Sequence, residues 1–172
     1  NVMLADDLVF NLNVKEVLSK NSAFLLNALF LELKYMLKNN HKLALNPPTF
    51  KELKFFLIKE KELFRLRNSN VLNCFRQDME KTDLKIPDDN IDLSGLLTHK
   101  KVINRANAFW VSNQFLRFIN LFSEVRTNRL HVAIAAALLN KHVYLYKNSY
   151  YKNEAVYKYS IERRFPNVEF MN

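Results

Sequence analysis

The sequence predicts an α/β fold, a Rossmann-like parallel sheet with flanking helices, preceded by a helical segment. Two observations carry that prediction. From residue 70 onward, short apolar runs of strand type alternate with longer runs of helical periodicity. The spacing of those runs suits right-handed crossovers between parallel strands. Composition agrees: 172 residues, 49% hydrophobic and 13% aromatic, suffice to bury a core without staples.

In chain order, "NVMLADDLVF" reads as a short strand running into a turn at Asp6 and Asp7. The chain begins at Asn1 in what reads as mid-strand, so a preceding domain is expected. Helical spacing then holds from about Val14 to Leu37 and stops at "KNNHK". Pro47 and Pro48 break the chain, Thr49 can cap, and Glu52 follows three residues on, as in a capping box. A helix over 50–67 should follow. It carries Lys51, Lys54, Lys59, Lys61, Arg65 and Arg67 among phenylalanines and leucines, a basic amphipathic surface. "VLNCFR" reads as a buried strand, "IPDDNIDLSG" as a loop and "RANAFWVSNQFLRFINLF" as a helix. "LFSEVRT", "HVYLY" and "NVEFM" complete the strands, with "RLHVAIAAALL" and "YKNEAVYKYSIERRF" as the helices between them. The resulting organisation is 1–12 as strand and linker, 13–69 as a helical segment, and 70–172 as the Rossmann-like domain.

Charge and cysteine content narrow the function classes. The net charge of +9 favours an anionic partner. Zinc-finger spacing, an RNA-recognition aromatic motif and helix-turn-helix punctuation are all missing from the sequence, so no nucleic-acid partner is expected. Cys74 is the single cysteine, which excludes an intrachain disulfide and fits a reducing, cytoplasmic setting. The longest apolar stretch, 23–37, is interrupted by Asn27, Glu32 and Lys34 and falls short of the roughly 20 residues that span a bilayer. His41, His99, His131 and His142 lack metal-ligand spacing, so no metal is expected.

Ligands of open parallel sheets settle beyond the carboxyl ends of strands. After the strand ending near Arg126, Thr127 or Asn128 can cap the next helix, with Arg129 and His131 in its first turn. A helix N-terminus beside an arginine and a histidine makes an anion site without a glycine-rich loop, as the single Gly95 requires. The alanines of "HVAIAAALL" indicate close packing on a sheet. Lys147, Ser149, Tyr150 and Lys152 follow the adjacent strand and should emerge at the same edge. In "FRQDMEKT", Arg76, Asp78 and Glu80 alternate, which in extended backbone aims them to one side, as a salt-bridge set or an anion site.

Three segments in order resemble the bacterial polysaccharide pyruvyltransferases: "FRQDMEKT" with "IPDDNIDLS", then "VRTNRLHVAIAAALLNKHVYLY", then "NSYYKNEAVYKYSI". "LADDLVFNL" is a weaker echo of the segment that links that family's two halves, with Ala5 in place of a proline. The likeness covers roughly 70–172 and does not extend to 13–67. It implies the C-terminal, donor-binding half of a GT-B-like fold. It also implies transfer of the pyruvyl group of phosphoenolpyruvate onto sugar hydroxyls as a ketal, in cell-surface polysaccharide or its lipid-linked precursor. The same resemblance makes phosphoenolpyruvate the donor substrate, with no cofactor, and a saccharide the acceptor. His131 matches the catalytic position, Arg76 and Lys152 match substrate-binding positions, and Arg129 falls within the histidine motif. Ser149 and Tyr150, beside Lys152, are added as candidate substrate contacts. An enzyme of this kind would work in the cytoplasm with peripheral contact at the inner membrane face. Two other readings remain at this level: a nucleotide-sugar glycosyltransferase half-domain, with Glu154 as a ribose ligand, and a non-catalytic assembly protein held to the membrane by the basic helix.

Overall fold

The computed structural model describes residues 69–78, 84–93 and 105–172, together with Lys61 and Arg65. The strand expected over 1–12 and the helix over 14–37 lie outside the described residues, as does the 50–67 helix apart from Lys61 and Arg65, both helical and exposed. The described residues belong to two compact units. One takes 69–78, 84–93 and 119–172; the other takes 105–118 with Lys61 and Arg65.

The first unit is a four-stranded, all-parallel sheet: β1 (Val71–Cys74), β2 (Glu124–Thr127), β3 (His142–Tyr146) and β4 (Val168–Met171), side by side in chain order. The helix α1 (Arg105–Asn120) precedes β2, α2 (Leu130–Leu138) joins β2 to β3, and α3 (Lys152–Val156) opens the connection from β3 to β4. This is the predicted α/β fold. The run "LFSEVRT" delivers a strand only from Glu124, because Leu121 to Ser123 turn the chain out of α1.

Alternation sorts the sheet into two faces. Leu72, Val125, Val143 and Val168 stand in one cross-strand row, and Cys74, Thr127, Leu145 and Phe170 in the next. Seven of those eight are buried. Against this face lies α2, in contact with β2 and β3, with Val132 through Ala137 all buried. Six consecutive buried residues, four of them alanine, allow the close approach predicted from the sequence. The opposite face carries Glu124, Arg126, His142, Tyr144 and Glu169. There Arg126 pairs with Glu124 at 2.6 Å and lies 5.8 Å from the Tyr144 ring centre, while His142 meets Glu169 at 3.3 Å.

The helix expected over 151–165 changes character midway. After α3 the backbone widens into a π turn, Tyr157–Ile161, and then into turns through Arg164. The wide turn seats Tyr157 against Phe170, ring centres 5.3 Å apart, and buries Ile161 completely. A π insertion of this kind re-aims side chains by one residue, which period counting does not reveal.

Among the described residues no helix is long and apolar enough to cross a membrane.

Candidate functional site at the carboxyl edge of the sheet

The carboxyl ends of β1, β2 and β3 are tied together by short side chains. Thr127 Oγ1 donates to the Cys74 carbonyl at 2.5 Å and accepts the Arg129 N–H at 2.9 Å, a turn closed by a hydroxyl two residues back. Asn128, fully buried, accepts the Arg76 N–H on Oδ1 at 2.8 Å. Its carbonyl accepts from Asn153 Nδ2 at 2.7 Å, and the same Nδ2 reaches the Tyr146 carbonyl at 3.0 Å. Phe75 and Tyr146 close over the same end, ring centres 5.2 Å apart.

The capping expectation is corrected here. Arg129, in extended backbone, is the N-cap of α2 and makes no side-chain cap bond, because Thr127 and Asn128 spend their oxygens on β1 and on the Arg76 segment. The first intrahelical bond is Ala133 N–H to the Arg129 carbonyl. Helix geometry keeps the earlier N–H groups out of that ladder, and the positive end of α2 points past the sheet edge.

The predicted site residues fall around this edge. Arg76 follows β1 and grips Asp78 with Nε and Nη2, at 2.8 Å for the shortest contact. The alternating cluster therefore contains the expected salt bridge, while Glu80 lies outside the described residues. Arg129 donates from Nη2 to Asp92 at 2.5 Å, from the loop beside β1, and its side chain is only 15% exposed. His131 is exposed in the first turn of α2. Ser149 and Tyr150 lie in an exposed bend after β3, and Lys152 is exposed as the first residue of α3.

Arg76, Arg129, His131 and Lys152 thus follow three adjacent strand ends whose loops meet at Asn128. No reversal of strand order occurs among the described strands, so a ligand crevice at a switch point finds no ground there. What remains is the carboxyl edge itself. Sequence patterns did not reveal Asn128 as a bridge, and they left Asn90 and Asn153 unmarked. Asn90 accepts the Phe75 N–H on Oδ1 at 2.6 Å and returns Nδ2 to the Phe75 carbonyl at 3.1 Å. Their only signal was position, close after a strand end or inside a loop.

Burial pushes the Cys74 thiol up to about 11, against smaller opposing effects of a Leu93 backbone hydrogen bond and nearby Arg129. It stays protonated at the base of the site and unsuited to nucleophilic work. Among the described residues no group of three or more His, Cys, Asp or Glu is placed to hold a metal ion.

No family model and no curated protein matches the chain. Among solved structures it is similar to the crystal structure of an uncharacterized protein from Klebsiella pneumoniae subsp. pneumoniae NTUH-K2044, with 38% identity and a TM-score of 0.48. That match covers 59% of this chain and 36% of that one, so it spans little more than a third of the Klebsiella protein.

Proposed function

We propose that this chain carries the donor-binding half of a pyruvyltransferase, moving the pyruvyl group of phosphoenolpyruvate onto sugar hydroxyls in bacterial cell-surface polysaccharide. The observation that supports the reading best is the meeting of the Arg76, Arg129 and Lys152 loops at Asn128. A donor with both a phosphate and a carboxylate needs cations from more than one direction, and three adjacent strand ends offer them beside a helix N-terminus.

In this reading Arg76, Arg129 and Lys152 hold the donor's anionic groups, and Ser149 and Tyr150 contribute hydroxyls from the bend between. A proton goes to the methylene carbon while one sugar hydroxyl bonds to the adjacent carbon and loses its own proton. A second hydroxyl then bonds to that carbon as the carbon–oxygen bond to phosphate breaks, its proton passing to the departing group, and inorganic phosphate leaves. His131 is the acid for the first transfer or the base for the hydroxyl, a role suited to an imidazole, whose two ring nitrogens can donate and accept a proton. A nucleotide-sugar donor would instead call on Glu154, which holds Lys158 of the following π turn at 2.6 Å. A lipid-linked acceptor would bring the protein to the inner membrane face, where exposed Lys61 and Arg65 carry the charge suited to anionic headgroups.

Calorimetric titration of phosphoenolpyruvate into the chain at low salt tests the donor assignment. Arg76→Ala and Lys152→Ala should each weaken binding by about tenfold, the size of one charge-assisted contact. His131→Ala should bind donor and keep the fold but lose transfer. A folded wild-type chain that binds no phosphoenolpyruvate overturns the reading for this chain.

A further inference from the structure

Two buried donors at the start of α2 find no acceptor among the described residues. Asn128 has no solvent-exposed surface, and its Nδ2 is the first of them. Its amide orientation is not open to reversal: Oδ1 accepts a backbone N–H from Arg76, so only an oxygen can stand there and the nitrogen must point the other way. The next residue repeats the pattern. Arg129 sends Nη2 to Asp92, yet its Nε is buried and is the second of the two. Both lie directly before a nine-residue helix whose N-cap, Arg129, makes no side-chain capping bond.

Buried donors are nearly always paired, and each orphan costs about 1–3 kcal/mol of desolvation. An orphan donor directly before the positive end of a helix suits an oxyanion as its missing acceptor. We propose that the Asn128 side-chain amide is a donor to a bound oxyanion, phosphate or carboxylate, at the N-terminus of α2. This site deepens the donor-site reading above and rests on the same edge, but its chemistry is that of an oxyanion of either source. Asn128 is covered, so the anion reaches Nδ2 when one of the segments bonded to it, that of Arg76 or that of Asn153, shifts aside. The energy released by giving the orphan an acceptor offsets part of that opening. Asn128 thereby couples occupancy of the site to the positions of Arg76 and Lys152.

The test uses Asn128→Asp in the full chain. Aspartate keeps an oxygen for the Arg76 N–H and replaces the donor by a second, negatively charged oxygen. Phosphoenolpyruvate and inorganic phosphate are each titrated into both proteins at low salt. The wild-type chain should bind, and the variant should bind at least about tenfold more weakly with a native circular-dichroism spectrum. If the variant does not fold, the assigned Asn128 side-chain NH₂ resonances of the wild-type chain are followed through the same titration, and they should shift with the binding isotherm.

Binding that is equal in a folded Asn128→Asp variant, or amide resonances that stay put while anion binds, overturns the proposal and leaves the donor reading standing. Binding of phosphate but not phosphoenolpyruvate, still dependent on Asn128, upholds the proposal and removes the pyruvyl donor. Binding of neither anion removes both.

Discussion

At the residue scale, Cys74 shows how burial at the base of the site fixes chemistry. It is fully buried at the end of β1, and loss of hydration raises its pKa from 9.0 to about 11. The folded state keeps this proton at pH values where the unfolded chain releases it. The thiol's contribution is therefore complete below pH 9, and it is lost as pH rises through about 11. A rise of that size caps the contribution at about 2–3 kcal/mol. Urea midpoints measured from neutral pH into this alkaline window should fall more steeply for the wild-type chain than for Cys74→Ala. The variant starts lower because it lacks the sulfur's packing. Parallel curves would mean that the thiol titrates alike in both states. The same burial predicts no reaction with a thiol reagent at neutral pH until denaturant is added. A lone cysteine was visible in the sequence; its inertness was not, because it follows from the burial that the folded sheet imposes on it, against the opposing effects of Leu93 and Arg129.

At the element scale, the chain builds its junctions from asparagine where most proteins use glycine. Helix α2 ends with Asn140 in the left-handed region at φ 57°. Asn140 N–H bonds to the Ala137 carbonyl at 2.9 Å and Lys141 N–H to the Ala136 carbonyl at 2.9 Å, the paired closure of a Schellman end. Asn167 adds Nδ2 to the Lys141 carbonyl at 2.6 Å, fastening that end to the turn before β4. Asparagine tolerates this conformation because its short amide can bond locally; a β-carbon without that amide raises the cost. Asn140→Ala should lower stability by about 1 kcal/mol. Asn140→Gly should be close to neutral, since relief of the left-handed strain is offset by the freer unfolded chain. Chemical denaturation of the two variants gives the comparison, and an alanine variant as stable as wild type would show that Asn140 is not needed in this conformation. The strands themselves were largely legible: "HVYLY" became β3 residue for residue, and "VLNCFR" became β1 in its first four residues, ending before Phe75 and Arg76. Period-2 and period-3.6 patterns report which face of an element is dry. The asparagines were not legible, because Asn90, Asn128, Asn140 and Asn153 look alike in sequence and differ only in which carbonyl or N–H the fold brings to them.

At the scale of the whole molecule, charge and edge geometry act together. A net charge of +9 draws anions toward the protein, and the field is screened beyond about 8–10 Å at ordinary ionic strength. The edge is less positive than that total suggests, because its two arginines already hold carboxylates: Arg76 grips Asp78, and Arg129 meets Asp92. The sequence displayed the "FRQDMEKT" spacing that makes the first pair, but Asp92 lies 37 residues from Arg129 and only the loop beside β1 brings them together. An incoming oxyanion must compete with Asp78 for the Arg76 guanidinium. Asp78 is half exposed, so the pair contributes little to stability and removing its charge leaves the fold intact. Asp78→Asn should therefore melt within a degree or two of wild type while binding phosphoenolpyruvate and inorganic phosphate about three- to tenfold more tightly, the worth of one partly screened carboxylate. Its affinity should also fall more steeply as salt is raised, because Arg76 then meets the ligand without the opposing charge of Asp78. Arg76→Ala moves affinity the opposite way, and the double variant should lie close to Arg76→Ala, since the effect of Asp78 on the ligand runs through the guanidinium it occupies. An Asp78→Asn chain with unchanged affinity would mean that Arg76 serves to hold its own loop and meets no ligand, and the anion site would then rest on the α2 terminus and Lys152 alone.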